Sequence, residues 1–175
     1  MENNQELLNF QEKLINEFAE GFNNNPSTIL VNEKLEKFQD LLQQKITETC
    51  SKQQQEYEKY GKAELQNNEL KFTKLQGKEK EFDAAFDSYL KCINPVVAFM
   101  IPIQSYLGSS AGLMSRSYEN CYQSCTKTFN KLEDAKSCVR SCIEKNYVNN
   151  FKANQSVISE LVDNLMGELQ KNKSI

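Results

Sequence analysis

The chain has 175 residues, a net charge of -3 and 39% apolar residues, with no His, 6 Gly and 6 Cys. Without His, the Ser-His and Cys-His catalytic systems and His-ligated metal sites are excluded, and scarce Gly and a negative charge weigh against phosphate loops and nucleic-acid surfaces. So thin an apolar fraction suits an all-α architecture of long amphipathic helices better than a barrel or a doubly wound sheet, and no catalytic, cofactor-binding or metal-ligating set is expected.

Residues 1–20 hold five Glu, one Lys and no Arg. That is the reverse of a mitochondrial presequence, and the basic start and apolar run of a secretory signal are missing too. Both chain ends are expected to be tied down by partners. Leu7, Leu14, Phe18 and Phe22 share a stripe and predict a first helix, which Asn23-Asn24-Asn25-Pro26-Ser27 ends. Leu35, Phe38, Leu42 and Ile46 mark a second helical region over about 29–60. A third, about 62–93, ends in Phe82, Phe86, Tyr89 and Ile93, with Gly61 and Gly77 as interruptions. No strand is expected.

Asn94-Pro95 predicts a boundary. The apolar stretch from Val96 to Leu107 is about half the ~20 residues that span a bilayer, and Pro102 breaks it. Membrane contact is therefore expected to be peripheral at most. The stretch is expected against the protein's own helices first, then in a partner's groove or at a membrane interface. Gly108-Ser109-Ser110-Ala111-Gly112 reads as a hinge. Helices are then predicted from Leu113 to about Lys131 and from about Leu132 to Leu169, with Asn130 and Glu133 as a capping box. Ile143, Tyr147, Phe151, Ile158, Leu161, Leu165 and Leu169 form a long face on the last helix. The resulting organisation is a helical extension (1–93), an apolar connector (94–112) and a C-terminal helical hairpin (113–175). Leu7, Leu14, Phe18, Phe22, Val96, Phe99, Ile101, Ile158, Leu161 and Leu165 are the expected partner contacts.

The cysteines carry the sharpest pattern. Cys121 and Cys125, then Cys138 and Cys142, form a twin C-x3-C. An i, i+4 pair puts both thiols on one helical face. In two antiparallel helices facing positions have a constant index sum, and 121 with 142 matches 125 with 138. That register favours Cys121–Cys142 and Cys125–Cys138 bridges among the three possible connectivities. Four reduced buried thiols, a four-thiolate zinc site and a redox dithiol remain alternatives, although the zinc and redox readings lack the usual C-x-x-C knuckle. Cys50 and Cys92 have no C-x3-C partner. They are expected as free buried thiols, with a third bridge possible if their helices pack antiparallel.

The segments from Arg116 to Phe129 and from Cys138 to Tyr147, read with their flanking residues, resemble the small TIM family of the mitochondrial intermembrane space. The resemblance covers about residues 113–170 and leaves 1–112 without a counterpart. It implies a doubly bridged helical hairpin, assembly into a six-membered ring with other small-TIM-like subunits, and import by an intermembrane-space disulfide relay. Met114, Tyr118 and Cys121 fall on one stripe and are the recognition residues that the resemblance implies for that relay. Two functions follow as expectations. The favoured one is a non-enzymatic structural subunit of a larger inner-membrane assembly, such as a respiratory-chain complex, facing the intermembrane space. The other is a chaperone ring that carries apolar precursors.

Overall fold

The computed structural model describes residues 2–67 and 69–171. It is all-α apart from one β-hairpin. Helix α1 runs over Glu2–Asn23 and α2 over Pro26–Glu58. Pro26 sits at the first helical position, where its missing N–H leaves nothing unpaired. The Asn25 side chain accepts from the Ser27 backbone N–H at 2.9 Å, so the expected break is also the start signal of α2.

The first difference follows. Strands β1 (Gly61–Gln66) and β2 (Glu69–Lys74) pair antiparallel, with Ala63 opposite Phe72 and Leu65 opposite Leu70. Helix was expected over these residues. The strand signal is the alternation Ala63, Leu65 and Leu70, Phe72 around a polar Asn tip, where Asn67 takes φ +53°. A two-stranded hairpin is marginal alone in water. Phe72 anchors this one, its ring centroid 5.9 Å from Phe82 and 5.2 Å from Phe86. The strand must pass close to α3, and a Cβ on Gly61 would overlap the Thr73 carbonyl oxygen and lie 2.8 Å from the Phe82 ring.

Helix α3 (Glu79–Val97), a 3-10 turn (Ala98–Met100) and α4 (Ile101–Thr128) follow one another without a loop. The boundary expected at Asn94-Pro95 and the hinge expected at 108–112 are therefore both absent. Pro95 lies in the last turn of α3, where only one backbone hydrogen bond is lost, and the 3-10 turn follows it directly. Gly108 and Gly112 stay helical, since Gly inside a helix costs only about 1 kcal/mol relative to Ala. By length and composition the helix Glu79–Thr128 can cross a membrane: an 18-residue window has mean hydropathy 1.3, with 11% of it buried. The short apolar span read from the sequence is corrected accordingly.

Helix α5 (Leu132–Ile143) begins one residue later than the capping box requires. Lys131 occupies the cap position and makes no side-chain cap bond, while Glu133 pairs with Lys136 at 3.1 Å. A π-turn, Glu144–Val148, separates α5 from α6 (Asn149–Lys171), where one continuous helix was expected. Asn146 is buried there. It accepts from Ser117 at 2.6 Å and donates to the Cys142 carbonyl at 2.9 Å, while Asn150 caps the Asn146 carbonyl at 3.0 Å. The inserted residue thus finds its partners in Asn side chains.

The chain divides into two compact units, and the division is not the linear one expected from 1–93, 94–112 and 113–175. One unit comprises Met1–Glu36 and Pro102–Asn164; the other comprises Lys37–Ile101 and Leu165–Ile175. In the second unit Tyr57, Phe82, Phe86 and Tyr89 cluster with Phe72, and a bridge joins Cys50 to Cys92 with Cα atoms 5.9 Å apart. The free thiols expected at these two positions are therefore corrected to a disulfide, which closes the antiparallel α2–α3 packing. The expectation that both ends are held concerns Met1 and residues 172–175, which lie outside the described residues.

Candidate functional site

The site is built where α4 meets α5. Cys121 joins Cys142 and Cys125 joins Cys138, with Cα separations of 5.8 and 5.7 Å. One bridge nests inside the other, the order two helices have when they run in opposite directions. The Cys125 and Cys142 sulfurs lie 3.4 Å apart, so the two bridges stack. Cys125 and Cys142 are buried, while Cys121 and Cys138 are half-buried. Three of these sulfurs lie within 4.8 Å of one another. Paired as disulfides, they have no thiolate to give to a metal or to an exchange reaction.

Helix α1 lies over this bridged pair. Leu7 and Leu14 share one cluster with Tyr118, Cys125, Ala135, Val139, Cys142 and Ile143, and Phe10, Ile15 and Phe18 pack at its edge. The seven-residue step from Leu7 to Leu14 brings both side chains to the same face, as the stripe predicts. Phe10 is held from above by two cations, Arg140 at 5.7 Å and Lys136 at 6.0 Å from its ring centre. Neither α1 as the cover nor these cations was anticipated as part of the site. The available signal was the apolar stripe on α1, which the sequence reading left for an outside partner.

Met114, Tyr118 and Cys121 do share one face of α4. Tyr118 is buried, and Met114 and Cys121 are half-buried. The Tyr118 hydroxyl is buried with no hydrogen-bond partner. Burial pushes its pKa well above the ordinary tyrosine value, and the neighbouring Tyr122 and Tyr147 add to the shift.

Of the ten residues expected to await a partner, Leu7, Leu14, Val96, Ile158 and Leu165 are buried within the chain. Phe18, Phe22, Phe99 and Leu161 are half-buried, and the Phe22 ring packs tilted against Phe151, centroids 4.4 Å apart. Only Ile101 is exposed. The reason is that α1 and α6 bury their stripes at home. In the seven-residue gap between Phe151 and Ile158, the buried Gln155 donates to Thr28, and Tyr106 donates to Asn154 at 2.7 Å. Beside α1 runs a wholly apolar groove of about 140 Å³, lined by Ile15, Phe18, Ala19, Phe22, Met114, Ile143, Tyr147 and Phe151.

Comparison of the chain with protein-family models, with curated proteins and with solved structures returned no match, so no relative identifies the small TIM family here.

Proposed function

We propose that this chain is a non-enzymatic structural subunit of a larger mitochondrial inner-membrane assembly, facing the intermembrane space. One observation carries the choice: α1 covers the apolar face of the bridged α4–α5 pair. A chaperone of apolar segments keeps such a face open for its clients, whereas here Leu7 and Leu14 occupy it. Three disulfides suit an oxidising compartment, and the intermembrane space is one such compartment. Small-TIM-like subunits, the host complex and the disulfide relay are the partners this reading requires. Met114, Tyr118 and Cys121 serve the relay before folding, while they are still accessible.

The test is import into isolated mitochondria followed by native electrophoresis. The imported chain is expected to comigrate with a large inner-membrane complex, and Cys121→Ser is expected to abolish its accumulation. Import indifferent to Cys121, or a chain that never joins a complex, overturns the reading.

The chaperone alternative draws on the apolar groove beside α1. It predicts that the isolated protein suppresses aggregation of apolar precursor peptides, which the structural reading does not.

A further inference from the structure

The start of α2, the middle of α4 and the first half of α6 border a cavity of about 240 Å³, and every residue lining it belongs to the first unit. Val31, Leu107, Met114, Phe151 and Ile158 make most of its wall, and no charged side chain lines it. Two polar residues of the wall, Thr28 and Gln155, are each only 8% exposed. The Gln155 amide donates to the Thr28 hydroxyl oxygen. That one bond leaves two functions idle. The Thr28 hydroxyl proton finds no acceptor among the described residues. Whichever way the Gln155 amide is turned, its second heavy atom finds no partner there either. Asn154 beside them is different, with both its amide atoms engaged: it accepts from Tyr106 at 2.7 Å and donates to Ser110. Buried polar groups are ordinarily paired, by protein, water or ligand.

We propose that this cavity binds a small uncharged alcohol, a hydroxyl carried on an apolar body. A hydroxyl is donor and acceptor at once, so it accepts from Thr28 and donates to the Gln155 carbonyl oxygen. A carboxylate has no proton to donate and an ammonium no lone pair to accept with. Either would also be a charge set among apolar walls without a counter-charge. A water molecule meets the same two groups but leaves the apolar walls wetted, which an apolar body does not. The volume suits a molecule of about ten non-hydrogen atoms, given that a cavity of about 150 Å³ takes up benzene. The site belongs to the isolated chain and goes beyond the structural role, so alcohol binding can fail while complex assembly stands, and the reverse.

The probe is benzyl alcohol, titrated into the full-length oxidised protein at neutral pH and followed by amide NMR. Saturable shifts are expected at the Gln155 side-chain amide and at the backbone of residues 28–35, 107–114 and 151–158. Benzoate and benzylammonium are expected to give none. Toluene serves as the apolar isostere. In the double variant Thr28→Val, Gln155→Leu, which replaces both polar partners by apolar groups of like shape, the affinity for benzyl alcohol relative to toluene is expected to fall about fivefold, the value of one neutral hydrogen bond. Ala111→Phe, at the exposed rim of this cavity, is expected to abolish the shifts in a protein that keeps the parent's spectrum elsewhere. Ala19→Phe, at the apolar groove beside α1, is expected to leave them unchanged. Shifts that do not saturate, or benzoate binding as well as the alcohol, overturn the proposal. So does an alcohol-to-toluene ratio equal in parent and double variant, which leaves only an apolar hole. Binding that survives Ala111→Phe, or is lost in Ala19→Phe, places the alcohol elsewhere and overturns it too.

Discussion

Tyr118 is a buried phenol beside two others. Its ring lies 5.1 Å from Tyr147 and 6.0 Å from Tyr122 by centroids, and its hydroxyl has no partner. Burial and two neighbouring phenols both disfavour the phenolate, so the folded-state pKa stands above the unfolded value near 10. A group with a raised folded pKa contributes its full stability below the unfolded pKa and loses it as pH rises towards the folded pKa. Stability is therefore expected to be flat around neutrality and to fall above about pH 10. In a spectrophotometric titration of the seven tyrosines, Tyr118 is expected to ionise last, together with unfolding. Tyr118→Phe removes the orphan hydroxyl and should leave neutral-pH stability equal or higher while blunting the alkaline loss. A phenolate at Tyr118 within the folded state, detected by NMR near pH 10, would contradict this account.

Among elements, the bridges differ in what they close. Cys50–Cys92 closes 42 residues, Cys121–Cys142 closes 21 and Cys125–Cys138 closes 13. Chain entropy ranks them in that order, with about 4 kcal/mol for the longest loop. The nested pair does not add simply, because either bridge already restrains most of the other's loop. Replacing one nested pair by Ala is expected to cost about 2 kcal/mol, and replacing both about 5. Urea unfolding of the three double variants and the quadruple variant measures this. A single nested removal as costly as the loss of Cys50–Cys92 would point to strain or packing in place of chain entropy. The same logic explains why the α4–α5 pair needs staples: two short facing surfaces bury little on their own, and α1 adds the missing apolar layer.

On the scale of the whole molecule, the controlling fact is which apolar faces are already used. Leu7 and Leu14 are each 3% exposed and bind α1 to the bridged pair. Leu14→Ala is expected to cost about 2–5 kcal/mol, as a buried Leu does elsewhere. The double variant Leu7→Ala, Leu14→Ala should loosen α1, raise binding of an apolar dye and leave the three bridges in place by non-reducing mass spectrometry. If the double variant binds no more dye than the parent, α1 is not the cover of this face, and the preference for a structural subunit over a chaperone loses its main support.

The sequence by itself determined the helical class, the stripe on α1, the break between α1 and α2 and the pairing register of the twin C-x3-C. Each depends on local periodicity, on the chemistry of one residue type or on the constant index sum of two antiparallel helices. Tertiary structure alone decided the rest. Cys50 and Cys92 are 42 residues apart, and only the packing of α2 against α3 brings their Cα atoms to 5.9 Å. The hairpin of Gly61–Lys74 exists because Phe72 finds Phe82 and Phe86, contacts that no local propensity contains. The helix passes Pro95, which falls in the last turn of α3 before a 3-10 turn, and Gly108, whose cost inside a helix is only about 1 kcal/mol. The stripe of α1 shows in the sequence that it must be buried, but not against what, since burial is roughly indifferent to the identity of the apolar partner. That choice, the bridged pair over a second protein, was made by the fold.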